Sequence, residues 1–356
     1  MYFDIAKEKT QNLIKSGNAI ICAIETSCDE TSVAIVKNGR EILSNAVFTQ
    51  IPIHQKYGGV VPEIASRSHL DALNPTLNQA LDEASLTLDQ IDTIAVTQGP
   101  GLIGALLTGV NFAKGLAFAT KKPLVPVHHI HGHISANFIA HKDLTPPFIA
   151  LAASGGHSHV LRADDYCDFT LLGSTRDDAA GEAFDKVARI LGLPYPGGIH
   201  VDALAREGNP DAYKFSSVLE KEDNYDFSFS GIKTAVINLV HKLEQKGEEI
   251  PKADIAASFQ ANVVRMLVHK ALLACEKANI NKLVLAGGVA SNSLLRASLE
   301  ALCAEKDVTL FVPPASLCTD NAAMIGAAAY FSLMKGKICD VDVNAFATGA
   351  LDEFYE

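Results

Sequence analysis

His129 and His133 stand four residues apart in V-H-H-I-H-G-H-I-S-A-N-F-I-A-H, a spacing that puts two imidazoles on one face of a helix. Such a pair clamps a divalent ion when a third ligand arrives from elsewhere in the chain. The same pair also occurs as an ordinary surface or core element, and spacing alone leaves both readings open. Asp320, in C-T-D-N-A-A-M-I-G, is the candidate third ligand. Two histidines and one carboxylate would leave coordination positions free for a substrate. Alternatively, Asp320 is only the N-cap of the helix that follows. H-I-H-G-H lacks the glutamate of H-E-x-x-H, so the general base of a zinc protease is missing.

A second group is acidic. Glu25-Thr26-Ser27-Cys28-Asp29-Glu30-Thr31 joins two apolar runs and puts three acids close together. They repel one another unless they face solvent, a metal or a substrate proton. Asp29 and Glu30 are the candidates for proton transfer; a solvated hairpin tip is the plainer reading.

Small residues form a third group. Ala152, Ala153, Ser154, Gly155 and Gly156 end an apolar run, where backbone N–H groups can line a phosphate. Gly287-Gly288 and Ser291-Asn292 repeat that placement, with Asn292 available to a purine, or with Ser291 as a helix cap. Gln98-Gly99-Pro100-Gly101 also closes a strand and opens a helix. In Asp177-Asp178-Ala179-Ala180-Gly181-Glu182, the early acids complement a helix dipole, and the Asp185 that follows could bind ribose hydroxyls. Tyr195-Pro196-Gly197-Gly198 reads as a turn.

The elements that must position these groups follow from periodicity. Strands are expected at 19–25, 32–36 and 41–48, the last two joined by the hairpin turn Asn38-Gly39. A helix at 61–84, bent near Pro75, a strand at 91–97, a helix at 102–120, a strand at 124–127 and a helix to about 140 complete a β-β-β-α-β-α-β-α unit. The second half repeats it. Strands at 148–153, 158–163 and 169–173 precede helices at 181–191, 232–245 and 255–278. Then come a strand at 282–286, a helix at 291–305, a strand at 308–312 and a helix at 321–334. A polar loop at about 208–230 lies inside the insertion. The expected fold class is therefore α/β, two lobes built on a duplicated unit. The plan resembles the superfamily of actin, the sugar kinases and the DnaK-type chaperone ATPases, whose ligands bind in the cleft between lobes. Lobe I is expected at 19–128, with the C-terminal helix 320–336 returning to it. Lobe II is expected at 129–319 with a helical insertion at 175–280, and 1–18 is a polar extension.

Composition bounds the partners. The chain has 356 residues, 48% of them hydrophobic and 20% charged, which fits large cores in two lobes. A net charge of -11 makes it a poor nucleic-acid binder by itself, so such a substrate needs a local cationic patch or a helper subunit. Seven cysteines without a C-x-x-C pair fit a reducing cytoplasm. Acids and lysines at 1–18 exclude a signal peptide there. The apolar stretch 102–120 is interrupted by Asn111 and Lys114 and reads as a buried helix rather than a membrane span.

Taken in order, E-T-S-C-D-E-T, V-P-E-I-A-S-R-S-H, Q-G-P-G-L, H-x-x-x-H at His129 and His133, S-G-G-H, D-D-A-A-G-E-A-F-D-K, Y-P-G-G, F-S-F-S-G-I-K-T, G-G-V-A-S-N and C-T-D-N-A-A-M-I-G resemble the TsaD family of tRNA threonylcarbamoyladenosine transferases. The resemblance spans about 21–330. It implies transfer of a threonylcarbamoyl group from threonylcarbamoyl-AMP to N6 of the adenine at position 37 in tRNAs reading ANN codons, with release of AMP. It also implies that His129, His133 and Asp320 hold a metal, iron before zinc, and that Ala152 to Gly156, Asp185, Gly198, Asp202 and Asn292 meet the adenylate. The E-T-S-C-D-E-T form is similar to bacterial members, which implies a TsaB-like paralogue and a TsaE-like ATPase as partners. Ile199-His200-Val201-Asp202 replaces the more usual P-x-I/V-D. Two other readings of the fold compete. A kinase or ATPase would carry Asp-x-Gly where Glu25-Thr26-Ser27 stands, and a non-catalytic scaffold paralogue would be expected to lose one of the three ligands.

Overall fold

A computed structural model describes residues 1–215, 222–352 and Phe354; of the polar loop expected at 208–230, residues 216–221 lie outside the described residues. The first element is helix α1 (Tyr2–Ser16), where composition suggested only a polar extension. Its buried stripe is Tyr2, Ala6 and Thr10, and Gly17 closes it in the left-handed region at φ 65°. The Tyr2 hydroxyl donates to Lys122 O at 2.8 Å, fastening α1 to the first half of the molecule.

That half is built on β1 (Ile20–Glu25), β2 (Glu30–Lys37) and β3 (Glu41–Thr49), an antiparallel meander. After the short helix α2 (Ile51–His54) comes α3 (Pro62–Ala84), which carries Pro75 within it. Then follow β4 (Thr93–Gly99), α4 (Ile103–Thr120), β5 (Leu124–His128) and α5 (His129–Ala140). The strand order is β3-β2-β1-β4-β5, with β4 and β5 parallel to β1. Alternation along β1 sorts its side chains. Cys22 and Ile24 join the cluster under α3 and α4, while Ile21 and Ala23 face the opposite layer.

The second half repeats the order. Strands β6 (Phe148–Ala153), β7 (Ser158–Asp165) and β8 (Asp168–Ser174) form its meander, and four helices are inserted next: α6 (Ala180–Ile190), α7 (Gly197–Ala205), α8 (Ser230–Lys246) and α9 (Lys252–Ala278). Then come β9 (Lys282–Ala286), α10 (Ser293–Glu305), β10 (Thr309–Phe311) and α11 (Ala322–Met334). Its sheet reads β10-β9-β6-β7-β8, the first order written backwards. The duplicated α/β plan is thus present strand for strand. Helix α7 departs from the sequence reading: Pro196 caps it, and Gly197 and Gly198 form its first turn rather than a free loop.

Two helices set the geometry of the site. α11 lies on the first sheet with Ala322, Ala323, Met324, Ile325, Ala328 and Ala329 in the core beside Ile21, Ala34 and Val36. α5 is enclosed, with residues 129–138 all buried, and packs against α11 and β9. Such enclosure explains why its apolar residues show no single stripe. α4 is the one described helix long and apolar enough to cross a membrane. It lies in the outer layer with one face buried, through Ala105, Leu106, Val110, Ala113 and Ala117, rather than being enclosed as the sequence suggested.

Arg40, just past the Asn38-Gly39 turn, reaches out of the first half. Its guanidinium donates to Phe138 O (3.0 Å), His141 O (3.3 Å) and Leu144 O (3.4 Å), capping the C-terminal end of α5. The rings of Phe138, Tyr166 and Phe331 surround it at 5.6–6.0 Å. The first hairpin, the buried helix and the second sheet are joined at that point.

Candidate active site

His129 and His133 lie in the first two turns of α5, where the end of β5 delivers them between the two sheets. Their Nε2 atoms are 3.1 Å apart. Asp320 Oδ1 stands 3.5 Å from His129 Nε2 and 3.2 Å from His133 Nε2. Bonds of about 2.0–2.2 Å to one ion put neighbouring ligand atoms roughly 3.0–3.4 Å apart; the 3.1 and 3.2 Å edges fall in that range and the 3.5 Å edge lies just beyond it. Asp320 is free for this task because Asn321, not Asp320, caps α11, its side chain accepting from Met324 N. The capping alternative is thereby settled against Asp320.

The electrostatics agree with a cation at this point. Burial alone would pull the His129 imidazole down, but the Asp320 and Glu25 carboxylates beside it raise it to about 9. Burial works against ionised Asp320 as well, yet His129 and His133 hold it below the usual carboxylate range. Glu25 is lowered too, burial being outweighed by His129. Two carboxylates therefore share one buried imidazolium, a place that a divalent ion can take over from the proton. His129, His133 and Asp320 fit a metal.

Glu25 is the residue that sequence reasoning left among the acids of the turn. It is fully buried. Its Oε2 accepts from Thr97 Oγ1 at 2.6 Å and lies 3.1 Å from His129 Nδ1, and Oε1 accepts from Ser27 N. Ser27 Oγ is also 3.1 Å from His129 Nδ1. A carboxylate on Nδ1 fixes the tautomer and aims the Nε2 lone pair at the ion position.

Beyond Asp320 the cleft widens into a cavity of about 460 Å³. Of the residues expected at an adenylate, Gly155, Asp185, Gly198, Asp202 and Asn292 line it, together with Ile51 and Thr319. Ser154 and Gly156 belong to the same turn as Gly155, and Ser154 accepts from His157 N through Oγ at 3.2 Å. Ala152 and Ala153 lie back within β6, paired with His159 and Ser158. They shape the strand; the cavity wall begins beyond them. Asp185 accepts from Gly197 N at 2.7 Å and so joins α6 to the start of α7. Asp202 Oδ1 accepts from Ser293 Oγ (2.8 Å) and Gln260 Nε2 (3.1 Å), while its Oδ2 accepts from Arg206. Asn292 caps α10 through Leu295 N and donates to Gln260 Oε1 at 3.0 Å. Gln260, absent from the sequence reading, ties three helices into one wall.

The glycines mark where a ligand belongs. A Cβ on Gly155, Gly198 or Gly288 would meet nothing within 4 Å, although all three line the cavity. Gly287 is different: at φ 88° its Cβ would fall 2.3 Å from Ala153 O, so it is required by the fold. Gly155→Val should therefore leave thermal stability near the parent value and weaken an adenylate ligand by about 10-fold or more, through steric exclusion. Differential scanning fluorimetry beside calorimetric titration with AMP checks this; a folded variant with unchanged affinity refutes it.

On the hairpin turn, Asp29 Oδ2 accepts from Tyr195 OH at 3.4 Å, a contact between the two halves. Burial, with Asp320 nearby, raises its carboxyl above the usual range. Glu30 accepts from Thr49 Oγ1 at 2.9 Å, its second oxygen has no hydrogen-bond partner, and burial pushes it up to about 8.

A family profile described as TsaD, tRNA N6-adenosine threonylcarbamoyltransferase, matches residues 41–327. The chain belongs to the TsaD family. Relatives named tRNA N6-adenosine threonylcarbamoyltransferase include one from Clostridium botulinum strain Kyoto, 57% identical over 333 residues, covering 94% of this chain and 98% of the relative. Another, from Clostridium perfringens strain SM101, is 57% identical and covers 92% and 96%. Among solved structures, HypF of T. kodakarensis matches with a TM-score of 0.60 at 16% identity, covering 92% of this chain and 49% of that one. Component A of the Acidaminococcus fermentans (R)-2-hydroxyglutaryl-CoA dehydratase matches with a TM-score of 0.51 at 16% identity, covering 88% and 99%. Those two likenesses concern the fold alone. As a TsaD-family protein the chain is a transferase that modifies tRNA, and the kinase and scaffold readings fall away.

Proposed function

We infer that this TsaD-family chain forms the threonylcarbamoyl–N6 bond on adenine 37 of ANN-reading tRNAs, using threonylcarbamoyl-AMP held in the 460 Å³ cavity. One observation carries the assignment of the site: Thr319 lines that cavity and the next residue, Asp320, stands with His129 and His133. The adenylate cradle and the cluster of three ligands thus adjoin. In the reaction the adenine N6 attacks the carbamoyl carbon, the bond from that carbon to the phosphate oxygen breaks, AMP leaves, and N6 gives up one proton.

His129, His133 and Asp320 would hold the metal, iron being our choice because two histidines and one carboxylate on one face suit Fe(II) with open positions. When bound, the ion supplies a Lewis acid for a phosphate or carbamoyl oxygen. Gly155, Gly198 and Gly288 admit the nucleotide, and Asp185, Asp202 and Asn292 keep the wall in place. Asp29 and Glu30 stand on the turn across from α7 and receive the N6 proton. A TsaB-like paralogue and a TsaE-like ATPase complete the system in the cytoplasm, and the net charge of -11 makes such help with tRNA physically reasonable.

The deciding assay incubates the chain with tRNA and threonylcarbamoyl-AMP, with and without those partners, and analyses nucleosides by mass. No modified adenosine under any combination sinks the proposal. A pH profile tests the proton acceptor. With Glu30 raised to about 8, its base form appears as pH rises through that value. Single-turnover rates should therefore climb from pH 7 and level off above about 8, and Glu30→Gln should flatten the climb while lowering the plateau roughly 100-fold. If Glu30→Gln and Asp29→Asn both keep the parental rate, neither takes the proton.

A further inference from the structure

Between β3 and α3 the chain makes a short detour across the cleft mouth. Ile51 lines the adenylate cavity, and four residues later Gln55 Nε2 donates to Tyr195 O in the other half at 2.9 Å. Gly58, at φ 69°, turns the chain back. Lys56 and Tyr57 stand at the tip. Tyr57 is 58% exposed, and Lys56 is exposed with no carboxylate within ion-pair distance among the described residues.

The tip rests on a buried base. His54 is fully buried, its Nδ1 accepting from Val61 N and its Nε2 donating to Gln50 Oε1. Gln50 Nε2 lies 3.4 Å from His69 Nδ1, and His69 in turn bonds Thr31 Oγ1 and Cys28 O on the acidic turn. Tyr57 is thus an exposed aromatic on a segment tied, through His54, Gln50 and His69, to the turn that carries Asp29 and Glu30.

We propose that Lys56 and Tyr57 form the RNA contact of the cleft rim, the Tyr57 ring stacking on a base next to the target adenine and Lys56 meeting an adjoining phosphate. The inference rests on the transfer reaction proposed above. An adenine whose N6 must reach a cleft has to leave its stack, and the base it leaves then exposes an apolar face. An exposed tyrosine six residues after the cavity-lining Ile51 covers such a face without reading its identity. A protein partner would use the same surface differently, gaining from the ring without needing the lysine.

The test measures tRNA and donor kinetics separately on the enzyme with its partners. Tyr57→Ala should raise KM for tRNA about 10-fold, within the roughly 5- to 150-fold range of one stacked base, with kcat and KM for threonylcarbamoyl-AMP unchanged. Tyr57→Phe, which keeps the ring, should behave like the parent. Lys56→Gln should reduce the slope of log affinity against log salt by about 1. An unchanged tRNA KM in Tyr57→Ala overturns the proposal, as does equal damage in Tyr57→Phe. So does a Tyr57→Ala variant that loses a partner protein while binding tRNA normally. Direct binding of an anticodon stem-loop RNA tests the same contact without turnover, so a parent enzyme that fails to transfer condemns the reaction and leaves the rim contact separately decided.

Discussion

Asp320→Ala should yield a folded protein that transfers about 1,000-fold more slowly and purifies with little metal. Folding survives because Asn321 caps α11 and the alanine-rich face of that helix, not Asp320, fills the core. Asp320 is also a burden on the apoprotein, a largely desolvated carboxylate kept ionised chiefly by His129 and His133. Its loss removes the one ligand that brings negative charge into direct contact with the ion. Lewis acidity contributes several kcal/mol to a developing anionic charge, and about 4 kcal/mol corresponds to the factor given. Metal content by mass spectrometry, melting temperature and single-turnover rate, taken on one preparation, decide the matter. A variant that keeps both its metal and its rate removes Asp320 from the site.

Glu25→Gln should lower metal affinity by about 10- to 100-fold while leaving all three ligands in place. The neutral amide has one acceptor oxygen, so it keeps the bond from Ser27 N and turns its NH2 toward Thr97 Oγ1 and His129 Nδ1, and it no longer balances charge on the His129 ring. The loss of transfer should then be recovered by added metal, a rescue that damage to folding would not give. Glu25→Ala is harsher. It strands the Thr97 hydroxyl and the Ser27 N–H in a region without solvent and leaves His129 Nδ1 with Ser27 Oγ alone, at a cost of about 3–5 kcal/mol in stability. Metal titration of the first variant and urea denaturation of the second are the measurements. Parental metal affinity in Glu25→Gln would make Glu25 a packing residue only.

Much of the fold could be read from pattern because the central strands of each β-β-β-α-β-α-β-α unit are continuous apolar runs, buried on both faces. Helix α1 could not, since its stripe mixes Tyr2 and Thr10 with Ala6, and a hydroxyl counts as polar until its partner, Lys122 O, is known. Helix α7 was hidden by Gly197 and Gly198, which signal a turn locally and are held in a helix by Asp185, twelve residues earlier. At the site, the His129/His133 spacing was visible, but spacing does not say what faces the ring. Glu25 meets His129 across 104 positions of chain, brought there by β1 lying beside β4 and β5 following. Gln260 was invisible for the same reason: its meaning is the pair of side chains, Asp202 and Asn292, that two other helices carry to it.

Arg40 and the cleft mouth lie at unlike ends of the join between the halves, and they differ in strength. At one end a guanidinium sits among three rings, the carbonyls of Phe138 and His141 at the end of α5, and that of Leu144 beyond it. At the other, Gln55 and Tyr195 share an exposed hydrogen bond and Tyr195 touches Asp29 at 3.4 Å. Each of those bonds contributes only about 0.5–1.5 kcal/mol net, a few times thermal energy at most. The join is therefore firm at one end and lightly held at the other. Losing those two bonds would free the mouth beside the cavity, while the Arg40 contacts, at the opposite end of α5 from His129 and His133, would stay in place.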